Sequence, residues 1–95
     1  MFILLLKYIK PLEEIDRLLE NHIRYLEKYY EEGKFICSGR RNPRTGGVII
    51  ANTSNREEIE GIISEDPFLI NKAAQYEIIE FIPTKYNSRF SCFVN

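Results

Sequence analysis

The chain contains a single histidine, His22, and imidazole is the side chain best suited to moving protons near neutral pH. His22 lies seven residues after Ile15, three after Leu19 and four before Leu26, so it shares the apolar stripe of a helix. Two roles fit that place. One is a core histidine bound to a backbone carbonyl or a tyrosine hydroxyl, since a buried polar group without a partner costs about 1–3 kcal/mol. The other is a general acid/base whose carboxylate partner fixes its tautomer. Asp66 is the natural carboxylate to set beside it. Yet Asp66-Pro67 also opens a helical turn, where an aspartate that caps the first amides needs no further role. Arg40, Arg41 and Arg44 could hold a carboxylate or a developing oxyanion, because guanidinium meets planar oxyanions bidentately; they equally suit the solvated tip of a hairpin. Ser38 could donate a hydrogen bond to a ligand, or simply end a strand.

Other chemistries find no support in the residue pattern. Ser38 is not set in a GxSxG elbow. One histidine with Cys37 and Cys92 far apart makes no zinc-ligand spacing, and there is neither a Walker A loop nor a GxGxxG turn. No metal or cofactor is expected.

The elements that must position these residues are legible in outline. Phe2 to Ile9 has strand length, with its first five residues apolar on both faces, which predicts that both faces are covered. Pro11 and the acidic Glu13, Glu14 and Asp16 open a helix. Its stripe is Leu12, Ile15, Leu18, Leu19, Ile23 and Leu26, and Gly33 serves as the residue after its end. Tyr25, Tyr29 and Tyr30 extend the packing face. Lys34 to Ser38 is a second strand, Gly39 begins a turn, and Arg40 to Gly47 is loop. Val48 to Asn52 is a third strand, antiparallel to the second. Ser54 with Glu57 fits a capping box for a second helix burying Ile59, Ile62 and Ile63. A short helical turn follows Asp66-Pro67, and Tyr76 to Ile82 is a fourth strand ended by Pro83.

The order β-α-β-β-α-β predicts an α+β domain: a ferredoxin-like, four-stranded antiparallel sheet with helices on one face. Residues 1–95 form one domain, with residues 83–95 as a tail carrying Tyr86, Phe90 and Phe93. The uncovered face receives bulky apolar side chains from strands one, three and four, which predicts a homodimer through the sheet face; the aromatic tail could pack at that boundary.

Composition narrows the partners. Thirteen basic and 14 acidic side chains leave a net charge of −1, unlike a nucleic-acid surface. An RRM shares the element order, but Val48-Ile-Ile-Ala51 lacks the stacking aromatics of its third strand. The apolar start reaches Lys7 too soon for a membrane span, which needs about 20 apolar residues, and has neither the basic region nor the cleavage site of an export signal. Reduced thiols in the cytoplasm are therefore expected.

The mid-helix histidine, Gly33 closing that helix, Ser38-Gly39 after the next strand, Gly46-Gly47 entering strand three and Asp66-Pro67-Phe68 after the second helix together resemble the YCII-related family, over residues 1 to about 83. The resemblance implies a dimeric α+β barrel and a His–Asp dyad in a cleft beside the sheet, carried here by His22 and Asp66. The Arg40-Arg41-Asn42 run is more basic than the usual family loop. Two functions then stand side by side. One is a small cofactor-independent lyase or isomerase, with Ser38 and the arginines binding a small anionic substrate. The other is a non-catalytic dimeric module that binds a metabolite or regulates a partner enzyme. They separate on whether a His22 ring nitrogen lies within about 3.2 Å of an Asp66 carboxylate oxygen, or one water away from it.

Overall fold

β1 (Phe2–Tyr8) is one of the two inner strands of the sheet in the computed structural model, which describes residues 1–94. It pairs antiparallel with β3 (Gly46–Ala51) on one side and β4 (Ala74–Glu80) on the other, and β2 (Phe35–Arg40) completes the order β2-β3-β1-β4. α1 (Leu12–Glu31), α2 (Arg56–Ile63) and the single turn α3 (Pro67–Ile70) supply the covering layer. This is the α+β ferredoxin-like arrangement the element order predicts.

Strand alternation decides what faces the helices. Phe2, Leu4 and Leu6 of β1 are buried, with Ile49 and Ala51 of β3, in one core with Ile15, Leu18, Tyr25 and Tyr29 of α1 and Ile59, Ile62 and Ile63 of α2. The register sets Ile3 opposite Ile50 and Ile79, and Leu5 opposite Val48 and Glu77, on the other face. β4 therefore gives that face Ile79 but also Gln75 and Glu77, so its contribution is more polar than the strand's apolar content suggests. No helix among the described residues is long and apolar enough to cross a membrane.

α1 ends as its sequence indicates. Gly33 takes φ +72°, Gly33 N–H donates to the Tyr30 carbonyl (3.0 Å) and Lys34 N–H to that of Tyr29 (2.9 Å), the paired bonds of a Schellman stop. Other boundaries move. β2 continues through Gly39 and Arg40, which pair with Val48 and Gly47, so Arg40 belongs to the sheet and not to the loop. β4 begins at Ala74 and ends at Glu80. α2 is capped by Asn55, not Ser54: its Oδ1 accepts from the amides of Glu57 (2.9 Å) and Glu58 (3.3 Å). On α1, Leu12 and Ile23 are exposed, Ile23 because it borders a cavity. In the tail, a 3-10 turn (Ser88–Phe93) sets the rings of Phe90 and Phe93 5.2 Å apart; Asn95 lies outside the described residues.

Candidate active site

Asp66 is the hinge between α2 and α3, and its local role comes from the Pro67 that follows. Proline at the first helical position leaves the Phe68 amide to be capped, and Asp66 Oδ1 accepts from it at 2.9 Å. The same turn carries Phe68 into the core beneath α1, and Asp66 goes with it, fully buried. A carboxylate removed from water must be satisfied by donors, and three converge on it. His22 Nδ1–H donates to Oδ1 at 2.7 Å, the Phe68 amide shares that oxygen, and the Tyr76 hydroxyl donates to Oδ2. The imidazole also stacks on the Phe68 ring, with centroids 4.0 Å apart and planes at 11°. The capping role and the histidine contact thus coexist in one side chain.

With Nδ1 committed to Asp66, Nε2 is the ring nitrogen left to meet a ligand. His22 lines a cavity of about 270 Å³ between α1 and the sheet. Leu6, Leu19, Leu26, Ile49 and Phe68 give that cavity an apolar body, while Tyr8, Ser38 and Arg40 bring polar groups to its wall. The Ser38 hydroxyl is 2.6 Å from that of Tyr30, so it stands on the wall already engaged with a helix residue. The three arginines part company. Arg40 reaches the cavity, because its place opposite Gly47 points it to the helix side. Arg41 and Arg44 line a separate depression beyond Tyr8, and Arg44 is bound to Asp16 at 2.5 Å.

Two phenols stand beside Asp66 that local sequence does not announce. Tyr76 sits opposite Leu6 in the register, which turns it toward the helices; alternation along β4 was the signal that could have found it. Tyr25 Oη is buried without a hydrogen-bond partner and neighbours the Tyr76 hydroxyl. Burial pushes both phenols well above the ordinary phenol range, and the Asp66 charge adds to the shift. In an alkaline titration followed by ultraviolet absorbance, Tyr25 and Tyr76 are expected to stay protonated until the chain unfolds. A phenol whose ionisation is raised by folding contributes stability below its ordinary pKa of about 10, and that contribution is lost as pH rises further. All six tyrosines ionising together while the circular dichroism stays native would contradict this.

Cys37 and Cys92 are exposed and unpaired with one another. Among the described residues no group of three or more histidine, cysteine or acidic side chains is placed to hold a metal ion.

The YCII-related domain family matches residues 1–82. No curated protein matches the chain. Among solved structures, it is similar to 5-chloro-2-hydroxyhydroquinone dehydrochlorinase from Burkholderia phenoliruptrix AC1100, in complex with 2,5-dihydroxybenzoquinone. The TM-score is 0.72 at 18% identity, over 94% of this chain and 98% of that one. At such low identity the likeness is one of fold.

Proposed function

The chain belongs to the YCII-related domain family, and from that premise we propose that it is a small cofactor-independent lyase or isomerase, in which His22 moves a proton on a small anionic substrate. The observation that carries this reading is the 2.7 Å contact of His22 Nδ1 with Asp66 Oδ1 at the wall of a cavity. Asp66 already receives the Phe68 amide and the Tyr76 hydroxyl, so it acts as an acceptor and keeps the proton on Nδ1. The lone pair of Nε2 is then free to take a proton from an acidic C–H or O–H of the substrate. As the imidazolium forms, the carboxylate beside it balances the new charge. The electron pair left on the substrate settles on a carbonyl oxygen, and the guanidinium of Arg40, on the same wall, suits that oxyanion.

Return of the proton to a different atom completes an isomerisation. Departure of a leaving group with the electron pair completes an elimination, after which Nε2 gives its proton to water or to the departing group. The structural relative is named a dehydrochlorinase, and elimination begun by proton removal is within reach of this arrangement. The apolar walls favour a flat or ring-shaped carbon body. The same reading pairs two copies through the sheet face that bears Ile3, Leu5, Val48, Ile50 and Ile79, because an apolar patch of that extent is rarely left to water.

A panel of enolisable acids, lactones and hydroxylated or halogenated aromatics, incubated in heavy water and followed by proton NMR, tests the reaction. Wild type is expected to exchange or convert at least one of them, and His22→Gln to lose that activity by roughly tenfold or more. Ligands should shift the melting temperature of both proteins. Conversion by His22→Gln at the wild-type rate would end the proposal. Binding without turnover in either protein would favour a non-catalytic metabolite-binding module.

A further inference from the structure

The cations near the candidate site are not spread evenly. Lys7, Lys10, Arg41 and Arg44 surround a depression of about 570 Å³, with Tyr8, Pro11, Leu12 and Thr45 as its remaining polar and apolar walls. In a chain of net charge −1, this gathers positive charge at one end of the sheet. Half of these four cations are engaged within the protein and half are not. Arg44 is bound to Asp16 and Lys10 donates to the Asn71 carbonyl at 2.8 Å. No acidic side chain among the described residues pairs with Lys7, Arg40 or Arg41.

The depression also adjoins the His22 cavity. Tyr8 forms a wall of both. A shallow groove between them is bordered by Tyr8, Leu19 and Arg40, which the cavity shares, by Arg44, which the depression shares, and by Asp16, whose carboxylate is bound to Arg44. A ligand with its carbon body against Leu6, Leu19 and Phe68 can therefore leave the cavity past Tyr8 and Arg40 and end beside Lys7 and Arg41, with which no acidic side chain among the described residues pairs. Several like charges focused at a recess attract a multiply charged partner far more than a singly charged one, and arginine and lysine together are the usual reception for phosphate.

We propose that cavity and depression form one ligand site, whose outer half binds a doubly charged oxyanion, a phosphate monoester being the substrate class it fits. The proposal depends on the reaction assigned to His22 only for what happens in the inner half. The test is a chemical-shift titration of ¹⁵N-labelled full-length chain with inorganic phosphate, phenyl phosphate and benzoate. Phosphate is expected to move the amides of Lys7, Arg41 and Thr45, with affinity falling as sodium chloride is raised. Phenyl phosphate should also move cavity amides and bind roughly tenfold tighter than either of the others, because its ring adds buried apolar area. The double variant Lys7→Gln/Arg41→Gln, at exposed positions, should lose the phosphate response, while His22→Gln keeps it. Phosphate shifts that are absent, or unchanged in the double variant, would overturn the proposal. So would benzoate binding as tightly as phenyl phosphate. Loss of turnover chemistry with the phosphate response intact would count against the His22 reaction alone.

Discussion

Asp66→Ala is expected to lower the stability of the chain by about 3–5 kcal/mol, because each buried donor left without its acceptor costs about 1–3 kcal/mol. Three donors lose their acceptor together: the Phe68 amide, His22 Nδ1–H and the Tyr76 hydroxyl. A domain of this size has a total stability of roughly 5–15 kcal/mol, so the variant should be close to unfolding and inactive for that reason. Asp66→Asn separates charge from geometry. The Phe68 amide must still meet an oxygen, which fixes the asparagine carbonyl in the place of Oδ1, where it also accepts from His22 Nδ1–H. The amide nitrogen then faces the Tyr76 hydroxyl, which has to accept and turn its own proton elsewhere. The neighbouring Tyr25 hydroxyl, buried and without a partner, can take it. The imidazole tautomer survives, the cap survives, and only the negative charge is gone. Asp66→Asn should therefore cost about 1 kcal/mol in urea unfolding, while turnover falls much further because the imidazolium has lost its counter-charge. Wild-type turnover in Asp66→Asn would remove the carboxylate's charge from the mechanism. Equal stability of the alanine and asparagine variants would mean that the convergent hydrogen bonds hold little.

What the sequence made legible, and what it hid, follows from how local each determinant is. α1 was readable at both ends because proline, acidic residues and Gly33 act on their own backbone. Ile59, Ile62 and Ile63 were readable as a buried face because helical spacing alone groups them. The end of β2 was not, since Gly39 and Arg40 join the strand only when Val48 and Gly47 are there to receive them. The cap of α2 slipped by one residue because Ser54 and Asn55 are both competent, and only the backbone path decides which side chain reaches the amides. The candidate site shows the same division. Asp66 as a cap was visible in the dipeptide Asp66-Pro67. Its contact with His22 spans 44 positions and obeys no spacing rule, so it came only with the family resemblance. Tyr76 reads locally as an ordinary strand residue, and Arg40, Arg41 and Arg44 read as one group, although Arg40 lines the cavity while Arg41 and Arg44 line the depression beyond Tyr8. Position in the chain identified the chemistry-bearing residues better than it identified their company.

Gly46→Ala is the other change expected to act strongly, and it acts on the scaffold behind the site. Gly46 faces Lys7 across the β1–β3 ladder. A Cβ added there would lie 1.8 Å from the Leu6 carbonyl oxygen and 2.9 Å from the Leu6 carbonyl carbon. Both are backbone atoms of β1, held in turn by pairing with β4, so no side chain can swing aside. The strands have to part at the end of the sheet where Leu6, Arg40 and Gly47 line the cavity. Overpacking of a rigid core commonly costs about 1–3 kcal/mol, and a clash between two backbones should reach or exceed the top of that range. At roughly 4–8 °C per kcal/mol for a domain of this size, the melting temperature should drop by about 12 °C or more, and the surviving folded protein should bind ligands in the His22 cavity more weakly. Gly61→Ala is the matched control: a Cβ at Gly61 meets nothing within 4 Å, and alanine in α2 should raise stability by about 0.5–1 kcal/mol. The pair of variants tests the β1–β3 register directly, because only that alignment puts the Leu6 carbonyl against Gly46. If both alanines melted within a degree or two of wild type, the strands could not lie in this alignment, and the wall that carries Arg40 toward His22 would have to be drawn differently.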